Sequence, residues 1–261
     1  MFSAAGTWGA PTSTVDWCEA NYALTPYVAE LFNTLSSVAI LVAGLLGVAR
    51  HWKILERRFL FAFVGLALVG VGSVAFHGTL RFELQMLDEL PMLYLVILMV
   101  YILVERGPQR RLGLIFPAGL AVYAIIATYL CAFTRGPLQF WIFQVGFGSL
   151  EFFSLVNVYW VQRKAESAAV RRLYSVGMGA YAIAILGWFV DLRFCAHLSP
   201  YLQLHACCHV LVSIGFYALL LVIAHERLRA LGHQPYLLRL GLRARQRSGA
   251  HGSPRSPHAI F

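Results

Sequence analysis

Long apolar stretches alternate with short polar breaks along the chain. Seven runs stand out, at residues 31–49, 59–76, 86–104, 112–133, 137–161, 173–190 and 201–224. Each approaches the roughly 20 residues a helix needs to cross a bilayer. A single span must satisfy its own backbone hydrogen bonds in lipid, so each run is predicted to be an α-helix. The breaks are short, and neither a Gly/Ser linker nor a fixed-period repeat interrupts them. The expected fold is therefore an all-α membrane protein, a seven-transmembrane helix bundle spanning residues 31–225. Residues 1–30 precede it and carry neither the basic start nor the apolar core of a signal peptide. Residues 226–261 follow as a basic tail. From about Leu231 that tail is rich in Arg, Ser, Gly, Pro and His; it reads as largely disordered, with His233, His251 and His258 solvated.

Composition supports the membrane class. The chain is 59% hydrophobic and 13% charged, whereas soluble domains carry about 25% charged residues. A formal charge of +9 would suggest nucleic acid, but its placement argues otherwise. Of the 21 Lys and Arg residues, 18 lie in 50–58, 105–111, 162–172 and the stretch after Ala224. Arg81, Arg135 and Arg193 fall one each on the opposite loops. Such alternation fits the positive-inside rule, with the N-terminus lumenal or extracellular and the C-terminus cytosolic. Nucleic acid is dropped as a partner.

Depth then sorts the rare polar groups. His205 and His209, in LQLHACCHV, fall in the first two turns of the seventh helix. Ser73 and His77, in GSVAFHGTL, fall in the last turns of the second. Asp88 and Glu89, in QMLDELPM, are expected in the first turn of the third. Three helices thus lift titratable groups to one lumenal layer. Residues i and i+4 share a helix face, so His205 and His209 can bind one metal ion, with His77 as a third ligand. Three protein ligands and an open position make the catalytic form of a zinc site. Here Ala206 and Cys207 occupy the interval where H-E-x-x-H carries its base. Asp88 is the expected supplier of a base, and Ser73 shares the face of His77. Asp88 read as a helix cap is the competing structural account. Cys207 and Cys208 lie off the histidine face and read as packing. Glu151, near the middle of the fifth helix, reads as structural, paired with a buried polar group or facing a hydrated cavity.

The stretch TSTVDWCEANY gathers Asp16, Glu19 and Asn21, and Glu30 follows. Such oxygen donors suit a hard cation such as calcium, but the EF-hand pattern is absent, and spacing alone reads as a polar surface loop. Cys18 shares the lumenal side with Cys195 and Cys131, and an oxidising lumen permits a disulfide. Spacing does not choose the partner.

Four separated stretches, WGAPTSTVDWCEANY, AELFNTLS, VGSVAFHGTLRFELQMLDELPMLY and LQLHACCHVL, resemble the alkaline ceramidases, in the branch that includes the phytoceramidases and alkaline ceramidase 3. The likeness runs in order over about residues 6 to 225. It implies hydrolysis of the N-acyl bond of ceramide, giving a sphingoid base and a fatty acid. Carried over by motif, His77, His205 and His209 would hold Zn²⁺, and Ser73 and Asp88 would be the catalytic partners. Asp16, Trp17 through its carbonyl, Glu19, Asn21 and Glu30 would bind Ca²⁺. The resemblance also supports a Cys18–Cys195 disulfide and an endoplasmic reticulum or Golgi membrane. Relatives often carry two tryptophans where this chain has Cys207 and Cys208, which bears on the acyl pocket. Two other classes compete. One is a seven-helix receptor or transporter that uses the His/Asp cluster for ligand or proton binding. The other is a zinc hydrolase of another lipid. Oligomeric state is not encoded in these patterns.

Overall fold

The computed structural model describes residues 6–109, 111–198 and 202–233. Among the described residues, seven α-helices long and apolar enough to cross a membrane run in order: α1 (Leu31–His51), α2 (Arg57–Thr79), α3 (Phe82–Val104), α4 (Ile115–Phe133), α5 (Gly136–Arg163), α6 (Ala168–Phe194) and α7 (Leu204–Ala230). No strand occurs among the described residues. The protein is an all-α bundle, as its seven apolar runs predict.

Most helices outrun their apolar stretches. α3 begins at Phe82 rather than Met86, so Asp88 and Glu89 lie beyond its first turn. Asp88 is therefore not a cap; Arg81 holds that position. α7 continues to Ala230, carrying residues 226–230 as helix before any tail begins. Helix propagation adds one hydrogen bond per residue fixed, so it continues past the apolar boundary until the chain turns. The tail expectation for His251 and His258 lies outside the described residues, and His233 is exposed.

α2, α3 and α7 form the centre of the bundle. Half or more of their most apolar windows is buried, against 6% for α4. α1 packs on α2 and α7, α2 on α3, α3 on α5, and α6 on α7. With lipid on the outside, small residues and shape complementarity drive such packing. At the α2–α3 crossing, a β-carbon at Gly72 would collide with the Leu87 carbonyl and stand 2.8 Å from the Asp88 Cα. Only glycine permits that approach. Pro91, inside α3, has no N–H to give the Leu87 carbonyl one turn earlier. That carbonyl is thus free of the helix ladder where α2 closes on it, and Asp88 is set beside Ser73.

The N-terminal segment folds over one end of this centre. Thr12 and Ser13 donate backbone N–H groups to the Leu80 carbonyl, Ala29 to Gly78 and Glu30 to His77. Leu80 ends α2 in the left-handed region, φ 51°, which costs a non-glycine residue roughly 1–2 kcal/mol. Its side chain is fully buried with Val15, Tyr22, Ala29 and Phe76. The surface-loop reading of this segment holds in part: Asp16 is exposed, whereas Glu19, and Glu30 after it, are buried. Cys18 and Cys195 stand at disulfide-bonding distance, with Cα atoms 5.2 Å apart. Cys131 is free and buried.

Candidate metal centre

α2 and α7 bring His77, His205 and His209 together, each buried. One ligand atom from each lies within 4.8 Å of the others. Ring centroids are 5.1 Å apart for His77–His205, 4.9 Å for His77–His209 and 4.5 Å for His205–His209. Such a triad can hold a metal ion. Its surroundings fit that use, because metal-binding imidazoles give their second nitrogen to an outer partner. His77 Nδ1 meets Glu30 Oε2 at 2.5 Å. His209 Nδ1 meets Ser36 Oγ at 2.8 Å and Ser37 Oγ at 3.3 Å. Both rings are left with Nε2 for an ion. His205 Nδ1 is buried without a hydrogen-bond partner, an arrangement a bound cation would relieve. Trp17 stacks on the His205 ring, centroids 3.6 Å apart and planes 12° apart.

Ser73 and Asp88 face the same space. Ser73 Oγ lies 2.8 Å from Ser37 Oγ, which itself donates to the Asn33 carbonyl at 2.7 Å. Asp88 is buried, and its Oδ1 has no partner. Glu89 differs: Oε1 accepts from Gln85 Nε2 at 2.8 Å and Oε2 from Gln139 Nε2 at 2.6 Å. Glu89 is therefore a link between α3 and α5, and Gln85 Oε1 extends the link by accepting the Thr14 N–H at 2.7 Å. Ser73, His77, Asp88, Glu89, His205 and His209 all line one cavity of about 390 Å³. Cys208 also lines it, with its thiol on the Ala184 carbonyl at 3.1 Å, while Cys207 faces outward.

Beyond His77 the oxygen-rich N-terminal segment is built around two carboxylates. Glu19 caps α1 from a distance: Oε1 accepts the Phe32 N–H at 2.7 Å and Oε2 the Asn33 N–H at 2.8 Å. Free N–H groups at a helix N-terminus favour an anion there. Burial pushes the Glu19 carboxyl above its ordinary range, against the pull of those N–H groups. Glu30 Oε1 accepts the Trp17 N–H at 3.3 Å, and Oε2 takes Asn33 Nδ2 at 3.2 Å beside His77. Burial pushes Glu30 up to about 8, with Asp16 and Asp191 adding to the rise. Asn21 Nδ2 donates to both Asp16 oxygens, at 3.0 and 3.2 Å, while Asn21 Oδ1 is buried without a partner. An orphaned amide oxygen among carboxylates is a donor set that suits a hard cation. These carboxylates are neighbours, but among the described residues only the three imidazoles form a set of three such ligands within 4.8 Å.

Several site residues escape sequence reasoning. Ser36 and Ser37 lie within or beside the quoted NTLS stretch, and Asn33, Ser36 and Ser37 share one face of an otherwise apolar helix. That spacing was a usable signal. Gln85 and Gln139 are fully buried in the bundle and could have been flagged in the same way. Asp191 carries no such pattern, yet its Oδ2 accepts the Cys18 N–H at 3.1 Å and its carboxylate lies near the His205 backbone N–H.

Comparison with known proteins agrees over most of the chain. The sequence model of the family described as Ceramidase matches residues 9–243. Alkaline ceramidase 3 of Mus musculus is 32% identical over 249 residues, covering 88% of this chain and 90% of the mouse protein. Alkaline ceramidase YPC1 of Saccharomyces cerevisiae is 31% identical over 266 residues, with 86% and 80% covered. An alkaline ceramidase of Arabidopsis thaliana is 29% identical over 214 residues, with 80% and 82% covered. With a family match that spans its apolar helices and its buried histidine triad, the chain belongs to the ceramidase family.

Proposed function

We propose that the protein is a zinc-dependent intramembrane amidase that hydrolyses the N-acyl bond of ceramide. The observation that carries this reading is the convergence of three buried imidazoles from α2 and α7 at the wall of an apolar cavity. His77, His205 and His209 would hold Zn²⁺. A zinc ion in such a site supplies Lewis acidity toward a carbonyl and activates water near neutral pH.

The residues around it divide the remaining work. Asp88, with an unpartnered oxygen in the cavity, accepts the proton of the attacking water and returns one to the leaving nitrogen. Water adds to the acyl carbon, the C–N bond breaks, and a fatty acid and a sphingoid base leave. Ser73, which gives its hydroxyl to Ser37 at rest, turns it from that contact to the charge that develops on the acyl oxygen. Trp17 and Val15 of the N-terminal segment line the cavity and keep bulk water from the reacting amide. Asp16, the Trp17 carbonyl, Glu19, Asn21 and Glu30 are the proposed ligands of a Ca²⁺ ion that orders this segment. Glu30 touches both regions through Trp17 and His77.

The charge alternation supports a lumenal N-terminal segment and a cytosolic basic tail on either side of a catalytic bundle over 31–225; an endoplasmic reticulum or Golgi membrane is what the family resemblance implies. The deciding experiment is ceramide turnover with metal analysis of purified wild type and His77→Ala. Wild type should carry one zinc per chain and release fatty acid; His77→Ala should lose both. Zinc-free wild type that hydrolyses ceramide would refute the reading.

A further inference from the structure

Glu151 lies in the membrane-spanning part of α5, lines the same cavity as the histidines, and has no part in the proposed reaction. Its depth follows from two helices. Gln139 is tied to Glu89, which sets α5 level with the Asp88 turn of α3. Glu151 is three further turns and more along α5, about 18 Å at 1.5 Å per residue. On α6, Asp191 meets the N-terminal segment at Cys18, and Tyr181 lies about 15 Å further from that end by the same rise. Glu151 and Tyr181 thus lie at one depth, both line the cavity, and the phenol is near enough to act on the carboxyl.

The local packing is specific to this pair. A β-carbon at Gly215 would stand 2.9 Å from Tyr181 Cδ2, so the ring is seated against α7 where only glycine leaves room. One turn before Glu151, a β-carbon at Gly148 would meet nothing within 4 Å, so the cavity reaches the α5 backbone beside the carboxyl. The lining nearby is apolar, including Leu66, Leu155 and Phe216.

Resting on the reading that this cavity receives the hydrocarbon chain of a lipid amide, we propose that Glu151 and Tyr181 form a polar floor that sets the chain length accepted. A carboxyl group has more hydrogen-bonding sites than one phenol fills. A chain that stops short leaves space for water to satisfy the rest. A methyl-terminated chain that reaches the floor displaces that water and strands a buried polar group, which costs more than the lost hydrogen bond returns. A chain ending in a hydroxyl replaces the water and escapes the penalty. The pair determines specificity and takes no part in bond breaking.

The test compares full-length wild type, Glu151→Leu and Glu151→Gln on ceramides graded in acyl length at a fixed base, and in base length at a fixed acyl chain. In wild type, kcat/KM should fall about ten-fold or more beyond a cut-off in one series. Glu151→Leu should move that cut-off to longer chains, and Glu151→Gln should keep it. A terminal hydroxyl at the cut-off length should restore turnover in wild type and not in Glu151→Leu. Glu151→Met, with a flexible side chain of similar reach, substitutes if the leucine variant does not fold. Fatty acids and long-chain amines of the same lengths, displacing a fluorescent lipid from each protein, read the cavity without hydrolysis. A binding cut-off that moves in a protein inactive on ceramide would refute the proposed reaction and leave the floor standing. Ceramide turnover with the same length profile in all variants would overturn the floor alone.

Discussion

Asp88 carries a buried oxygen with no hydrogen-bond partner, whereas both oxygens of its neighbour Glu89 accept from glutamine amides. Adjacent residues on a helix point about 100° apart, which leaves one carboxylate open to the proposed chemistry and ties the next into packing. Asp88→Asn is expected to lower kcat by about 10²–10⁴-fold, the usual contribution of a positioned acid–base group, with the metal content unchanged. Steady-state kinetics and metal analysis on the same preparation check this. Glu89→Leu should act on folding instead, lowering Tm because Gln85 and Gln139 are left unsatisfied. Glu30 sits behind His77, and partners of this kind typically change metal affinity by about 10–100-fold when removed. Glu30→Ala should show that loss in a chelator competition, with Ser37→Ala showing a smaller one through His209.

Helix α3 shows how local composition and packing divide the task of positioning. Its apolar run begins at Met86, but the helix begins at Phe82, and those extra residues carry Asp88 away from the cap and into the wall of the site. Pro91 and Gly72 then act together at the α2–α3 crossing, one freeing the Leu87 carbonyl and the other letting it approach. Gly72→Val should destabilise the bundle by about 1–3 kcal/mol, the usual range for overpacking. Thermal unfolding in detergent would register the change, and Ser73 and Asp88 should separate with loss of activity. The N-terminal segment depends on covalent as well as polar ties. Cys18→Ser should cost about 2–4 kcal/mol if the pairing closes its long loop in the native protein. Non-reducing peptide mapping of wild type and Tm of the variant check the two halves of that expectation.

Across the bundle, α2, α3 and α7 meet where the ion would sit, so metal binding and folding are linked. An ion at about a hundred times its dissociation constant stabilises the folded state by about 2.7 kcal/mol. A zinc-selective chelator, with calcium held in excess, should therefore lower Tm in wild type and leave His209→Ala unmoved. The charge alternation makes a separate prediction: in sealed vesicles of native orientation, a protease outside the lumen should remove the basic tail and spare residues 6–30. Seven spans, their helical type and the His205–His209 pair were legible because run length and i,i+4 spacing are local quantities, set by rise per residue and bilayer thickness. The i,i+4 spacing places two imidazoles on one face without any knowledge of their neighbours. Ser37 beneath Ser73, Glu30 behind His77, Glu19 on the end of α1, Asp191 under Cys18 and Tyr181 against Glu151 were not legible. Each joins elements far apart in the chain, and each depends on how helices rotate about their axes and how closely glycine lets them approach. Run length and charge carry no record of either, so those contacts exist only once the bundle has packed.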